Sequence, residues 1–584
     1  MILPSASIAN KTPREGRFSW LTLILALGLL AYLGAWLTPN HYPPWLSFHG
    51  ESLTFVALVV VGLAWVSRAR KWVLDRAALL PMVLIGLIWL QWGAGQIAYS
   101  GEAVMSSLYL GGFALAWLLG SNLADKSAAG DKILSWLAGL LVVAAAISVY
   151  VAALQWLDLE ASYANLIVER PQGGRPNGNL AQSNHLATLL LMGLVMSVWL
   201  YHQHYLRRWQ AWALVTWLSF GLAMAQSRAG WLSAALLGLF LLWRGQTTWR
   251  IGGLRAVLGW WSMLLAMWLA WKPANVTLLA TGESRALASL TQDNARVVLW
   301  RQILAGIEQS PWWGYGWGQT VAGHKAGTAH ISNGLLTDYA HSLVLDLTLW
   351  LGIPLAILLM ATMAWWLLRA VYRINDPRQL LLMAAALPVL VHSLVEFPFA
   401  YAYFLFTVAF LFGSLSTRQS AEKSSAWIID RLPGRWIGIS LVVVFAVLSA
   451  RVGYEYVQVE EDYRVMRFEM RSVGRTPENY EAPDLWILNQ LGAVLKLGRV
   501  QPRPGMSSAE LESMKVLNKN YNWATLQMRY AVALALNGQV EQALIEMKSL
   551  RAHYGEISYR QAKQLILEQQ NNQYPQLREL KLPE

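Results

Sequence analysis

Residues 337–352 read TDYAHSLVLDLTLWLG, a short polar stretch that turns into an apolar run with His341 on the threshold. Downstream the apolar run continues to about residue 368, long enough to cross a bilayer as a helix, which takes about 17–25 residues. Upstream, from Pro273 to His341, apolar character stops, and the segment carries Arg285, Arg296, Arg301, Lys325 and three histidines. A loop of that length between spanning helices is functional or disordered as a rule. The helical period of ARVVLWRQILAGI (295–307) and the aromatic turn PWWGYGWG (311–318) mark this one as folded. It is expected to form one wall of an active site at the membrane surface.

The rest of the chain fits that boundary. Of its 584 residues 55% are hydrophobic and 14% charged, with mean hydropathy +0.35 and 32 tryptophans. A soluble domain carries about 25% charged residues, so the chain reads as an all-α, polytopic membrane bundle. Spans are predicted at about 18–38, 52–67, 78–93, 103–122, 133–157, 185–204, 210–226, 229–244, 253–272, 342–368, 379–396, 400–416 and 436–451, about thirteen in all. The first, from Phe18 to Thr38, exceeds the signal-peptide core of about 7–15 residues and is expected to stay as a span. The predicted organisation is an N-terminal tail (1–17), a membrane domain (18–451) with a large outward loop inside it (273–341), and a helical C-terminal domain (452–584). The absence of cysteine excludes disulfides, cysteine nucleophiles and thiolate metal sites.

The formal net charge of +12 suggests nucleic acid until its placement is considered. With the N-terminus inside, the inner segments hold about 21 Lys and Arg residues, against three (Arg170, Arg175, Arg228) in the short outward loops. Such an excess sets membrane orientation, and it accounts for the basic balance without nucleic acid. The large loop and the C-terminal domain therefore face outward, into a periplasm. Arg228, in the turn AQSRAGWLS (225–233), reads either as a snorkelling interfacial residue or as a binder for an anion at the outer leaflet.

Past Arg451 the chain becomes charged and helix-forming. NWATLQMRYAVALALNGQVEQALIEMKSLRAHYG (522–555) reads as two amphipathic helices joined at Asn537–Gly538, the length of one tetratricopeptide-like unit. One such unit cannot bury its own apolar face, so the helices of 483–498 and 508–519 are expected to complete the domain. A structural cap and a docking platform for a protein partner both fit.

No Walker A, H-E-x-x-H or G-x-S-x-G signature occurs, and the histidines lack metal-ligand spacing. The outward polar residues that remain are Asn177, Asn179, Gln182, Asn184 and His185; Arg228; Arg296 and Arg301; His341; and Glu396 with Tyr401 and Tyr403. Arginines at a lipid interface suit a lipid-linked sugar, because the planar guanidinium matches phosphate oxygens and stays charged as a pyrophosphate leaves. An acceptor hydroxyl needs a base that titrates near neutrality, and histidine supplies it. Arg296 and Arg301 are five apart and share a helix face poorly, so Arg296 is assigned to the phosphates and Arg301 to support. Asp338 is a candidate to orient His341 if the helix begins that early. A cap at His341 and a helix start at His185 are the plainer readings of those two residues.

GNLAQSNHLATLLLMG (178–193), SRAGWLSA (227–234), NARVVLWRQ (294–302), PWWGYGWG (311–318) and AHSLVLDLTLWLGIP (340–354), in that order, resemble the O-antigen ligase and polymerase superfamily. The first of these, with HSLVEFPFAYAYFLF (392–406) and the helical C-terminal region, resembles the branch of bacterial O-oligosaccharyltransferases that modify pilin and other periplasmic proteins. The resemblance implies an inner-membrane enzyme that takes glycan from undecaprenyl pyrophosphate without metal or nucleotide. It places the loop histidine on His341 and the phosphate-binding arginines on Arg228 and Arg296. One position departs: Ser342 stands where the superfamily often has asparagine after the histidine. A ligase acting on lipid A core, a polymerase, a lipid or polysaccharide transporter and an assembly scaffold are the rival readings. No internal repeat of the kind transporters show is visible.

Overall fold

The computed structural model describes residues 20–68, 72–169, 174–279, 286–328, 331, 336–419, 426–429, 431–470 and 473–582. The tail 1–17, Arg170 and Arg285 lie outside the described residues. The helices are α1 (Trp20–Leu37), α2 (Phe48–Arg68), α3 (Leu80–Gly93), α4 (Ser100–Leu123), α5 (Ala128–Trp156), α6 (Ser183–His202), α7 (Arg208–Ala225), α8 (Arg228–Trp243), α9 (Gly245–Thr248) and α10 (Gly253–Leu279). There follow α11 (Ala286–Gln309), α12 (Thr320–Thr328), α13 (Leu343–Tyr372), α14 (Pro377–Ser393), α15 (Ala402–Gln419), α16 (Arg431–Glu469), α17 (Asn489–Leu497), α18 (Ser508–Asn520), α19 (Ala524–Leu536) and α20 (Val540–Asn572). Two short strands, β1 (Trp72–Asp75) and β2 (Ala426–Ile429), pair antiparallel with Trp72 opposite Ile429.

Among the described residues eight helices are long and apolar enough to cross a membrane, and the chain is a multi-pass membrane protein. α6 is buried along nearly its whole length, with α5, α7, α8 and α14 around it. α4 and α15 cross where Gly120 and Gly413 let the backbones touch; a Cβ at either would collide with a carbonyl of the other helix. Without a hydrophobic drive between helices in lipid, such close approach is what holds them.

α13 was expected as one unbroken span over 342–368. It is interrupted at Gly352, whose φ is +75°. The aromatic turn of the large loop fills the break: the Tyr315 amide donates to Leu349 O (2.9 Å), the Gly316 amide to Trp350 O (3.1 Å), and the Ile353 amide to Pro311 O (2.7 Å). Gln91 Nε2 also donates to Trp350 O (3.1 Å) and its Oε1 accepts from the Trp317 amide (2.9 Å). Broken backbone at membrane depth survives only when protein satisfies it in this way. The stretch from Ile353 to Tyr372 alone supplies the ~20 residues a crossing helix needs. α16 runs through position 452 without a break, 39 residues and about 58 Å, so one rod joins membrane and C-terminal regions. In that region α19 and α20 form the expected helical hairpin, turning at Asn537–Gly538.

Candidate active site

Glu396 lies in the turn after α14, 2% exposed, and three side chains converge on it. His341 Nδ1 stands 2.6 Å from Oε2. Asn184 Nδ2 donates to Oε1 at 3.0 Å, and the Arg296 guanidinium pairs with the same oxygen. The three arrive from different parts of the chain: α6, α11 and the threshold of α13. A carboxylate accepts, so Nδ1 carries the proton and Nε2 presents a lone pair. The Phe397 ring meets the imidazole edge to face at 4.8 Å and fixes its plane. The imidazole is 25% exposed, and Arg296 keeps 41% of its side chain accessible.

His341 has φ +52°, in the left-handed region that costs an L-residue about 1–2 kcal/mol. Its neighbour Ala340 is fully buried and held at both ends: its amide donates to Asp346 Oδ1 (2.9 Å), and its carbonyl accepts from Trp300 Nε1 (3.1 Å). Asp346 is itself 0% exposed and accepts from Thr320 Oγ1 (3.0 Å). A carboxylate inside the apolar run thus pins the backbone that aims the histidine.

Arg228 opens α8. Its N-cap, Ser227, accepts from the Gly230 amide (2.9 Å) and donates to Asn184 Oδ1 (2.8 Å), one hydrogen bond from Glu396. Arg175 Nη1 donates to Gln226 O (3.2 Å), tying the Gly/Pro/Asn-rich loop to the turn that carries Arg228. A chain of hydrogen bonds, Ser227 to Asn184 to Glu396 to His341, therefore links the N-termini of α6, α8 and α13. Helix N-termini present unpaired amides and a positive dipole end, which favour a bound anion.

The other residues singled out from sequence divide. Arg301 is exposed about 7.5 Å further along α11, and no described contact ties it to Glu396 or His341. Tyr403 is a core residue, 3% exposed and packed on Trp36 at 4.8 Å, rather than a substrate contact. His185 is 1% exposed with its ring 4.3 Å from Tyr401, behind the Glu396 cluster, and neither ring nitrogen has a hydrogen-bond partner. Tyr401 lies between His185 and Phe397. Gln182 is the N-cap residue of α6, with its Oε1 unpartnered. Asn177 and Asn179 are buried in loop scaffolding: Gln155 Nε2 donates to Asn177 Oδ1 (3.0 Å), and Asn179 Nδ2 donates to Leu37 O (2.8 Å). Asp338 does not orient His341, because α13 begins only at Leu343 and the exposed Asp338 side chain bonds Asn522 instead. Ser342 caps α13 without a side-chain hydrogen bond, and the orienting group is Glu396. Among the described residues no three His, Asp or Glu side chains are placed to hold a metal ion.

The C-terminal helices grip the loop from behind. Asn522 Nδ2 donates to Leu336 O (2.9 Å), and Lys325 of α12 donates to the carbonyls of Asn518 and Tyr521 (3.3 Å to the latter). Burial pulls the Lys325 ammonium down to about 8, partly offset by Glu546. His324, accepting the Thr337 amide at Nδ1 and facing Gln302 Oε1 at 2.9 Å, is pushed down to about 4 by burial. His553 is held at about 3 by burial and by Lys325.

Fold and site together define a polytopic helical membrane protein with an arginine–carboxylate–histidine cluster where three helices begin. Residues 213–360, which hold Arg228, Arg296 and His341, match the family model described as O-Antigen ligase. Residues 176–201, with Asn184, match that of Protein glycosylation ligase, and 380–567, with Glu396, that of Virulence factor membrane-bound polymerase, C-terminal. The chain is 27% identical over 543 residues to a general O-oligosaccharyltransferase of Acinetobacter baylyi, covering 89% of this chain and 90% of that protein. It is 27% identical over 354 residues to a ComP-specific O-oligosaccharyltransferase of the same organism, covering 60% and 63%. No solved structure matches the chain. These matches bear out the resemblance read from the motifs.

Proposed function

We propose that this protein transfers a preassembled oligosaccharide from undecaprenyl pyrophosphate to Ser or Thr hydroxyls of periplasmic proteins, pilin-like ones among them. The observation that carries the reading is the single carboxylate, Glu396, joining His341, Arg296 and Asn184 at the mouth of three helices. The names of the relatives support oligosaccharide transfer as the reaction class. The charge distribution supports a bacterial inner-membrane protein of thirteen spans, with this cluster, the loop 273–341 and a tetratricopeptide-like domain from 452 onward in the periplasm.

In the proposed step Arg228 and Arg296 bind the pyrophosphate, with Arg301 as outer support. The acceptor oxygen attacks the anomeric carbon, and the bond from that carbon to the pyrophosphate oxygen breaks, its electron pair leaving with the lipid pyrophosphate. The hydroxyl proton passes to Nε2 of His341, while Glu396 holds Nδ1–H and so fixes tautomer and ring plane. The arginines and helix N-termini offset the charge that grows on the leaving group.

The test is reconstitution of purified protein with a lipid-linked oligosaccharide and, separately, a pilin and a lipid A core acceptor, with products read by mass. Transfer to pilin supports the proposal. Transfer to core alone assigns a ligase, and transfer to neither removes it.

A further inference from the structure

The end of the bundle opposite His341 has a cavity of about 460 Å3, within the ordinary range for small-ligand sites of about 300–1,000 Å3. Its walls are apolar faces of spanning helices: Val195 and Val198 of α6, Val215 of α7, Val257 and Trp260 of α10, and Leu381 of α14. Its mouth is different. Arg208, the first residue of α7, and Arg255, in the first turn of α10, both line it, beside Gly252 and Gly253 where the α10 amides begin.

Two arginines facing one apolar slot call for counter-charge, and the described residues supply none. Neither has an ion-pair partner among the described residues. The acidic groups on that face are engaged elsewhere: Asp131 with Arg418 (2.8 Å) and Arg378 (3.4 Å), and Asp376 with the Arg378 amide (2.6 Å). Tyr205, Trp209, Trp243 and Trp249 are exposed around the same end, the aromatic signature of a lipid–water boundary. The arginines therefore stand at headgroup depth and the slot at acyl depth.

We infer that this cavity binds an anionic phospholipid, a phosphodiester of its headgroup between Arg208 and Arg255 and one acyl chain in the slot. A zwitterionic phospholipid brings its own cation to the arginines and fits less well. Basic pockets between spanning helices are where such headgroups bind. The site is not the donor site: along α6 its lining residue Val198 lies 14 residues, about 21 Å, from Asn184. Binding here holds α6, α7, α10 and α14 together at their far ends, whichever glycan reaction His341 performs. With the orientation proposed above the cavity opens to the cytoplasmic leaflet, and that placement alone rests on the proposed function's topology.

The experiment is native mass spectrometry of the full chain, delipidated in detergent and titrated with cardiolipin, phosphatidylglycerol, phosphatidylethanolamine and undecaprenyl phosphate. Wild type is expected to retain cardiolipin or phosphatidylglycerol over phosphatidylethanolamine by about tenfold or more. The Arg208→Gln/Arg255→Gln pair loses that preference, the Arg208→Lys/Arg255→Lys pair keeps most of it, and Val198→Trp, which fills the slot and spares both arginines, loses it. Undiminished preference in the Gln pair, equal retention of phosphatidylethanolamine, or displacement of cardiolipin by undecaprenyl phosphate would overturn the inference. Glycan transfer is not the readout, so this result and the test of the proposed function fail independently.

Discussion

His341 and Glu396 face each other nitrogen to oxygen at 2.6 Å, with the carboxylate almost wholly buried and the imidazole side chain a quarter exposed. An acceptor-only partner at Nδ1 keeps the basic lone pair at Nε2. Glu396→Gln offers an amide that can donate instead, which selects the wrong tautomer. The expected outcome is a loss in kcat on the order of 10² or more with a smaller change in donor KM, measured in reconstituted transfer.

The two phosphate arginines separate from the base in the same assay. Arg228→Ala and Arg296→Ala each remove a charge-assisted contact worth about 1.5–3 kcal/mol, so kcat/KM for the lipid-linked donor falls about 10–100-fold. Lysine restores only part of this, because a point charge does not reproduce the fork. Arg301→Ala, exposed and away from Glu396, changes it little.

Asp346 acts through the backbone. Asp346→Ala leaves the buried Ala340 amide unpaired at a cost of about 1–3 kcal/mol and frees His341 from its left-handed setting. Transfer falls while binding of the lipid-linked donor, measured by equilibrium binding, is kept. Loss of both in proportion would show a general folding defect.

The grip of the C-terminal helices on the loop is pH-dependent. His324 and His553 are depressed to about 4 and about 3, below the ordinary 6.5, so the unfolded or undocked chain binds protons that the docked one refuses. The stability they contribute is fully present above about pH 6.5 and is lost progressively as pH falls through that value toward 4. Hydrogen-exchange protection of the α12 and α20 amides, corrected for the intrinsic pH dependence of exchange, should fall between pH 7.5 and 5.5, and His324→Gln with His553→Gln should flatten the change.

Much of this arrangement was legible in the chain because charge and hydropathy are one-dimensional. That Arg228, Arg296 and His341 belong to one end of the bundle is expected from alternating sidedness alone. The Glu396 hub does not, since it joins residues 212, 100 and 55 positions apart. Two local signals point toward it. A lone Asp346 inside LVLDLTLW is costly in an apolar helix unless something pairs with it, and the Gly352–Ile353–Pro354 run marks a helix that breaks. Tyr403 sits at the end of a span, where sequence reads an outward polar residue, yet burial on Trp36 makes it core.

The most direct measurement is transfer of a defined lipid-linked oligosaccharide to purified pilin by wild type and by His341→Ala, both reconstituted and shown to bind the donor equally. The account predicts glycosylated pilin from wild type and a rate from the variant lower on the order of 10²–10⁴. Equal rates from the two proteins would contradict it.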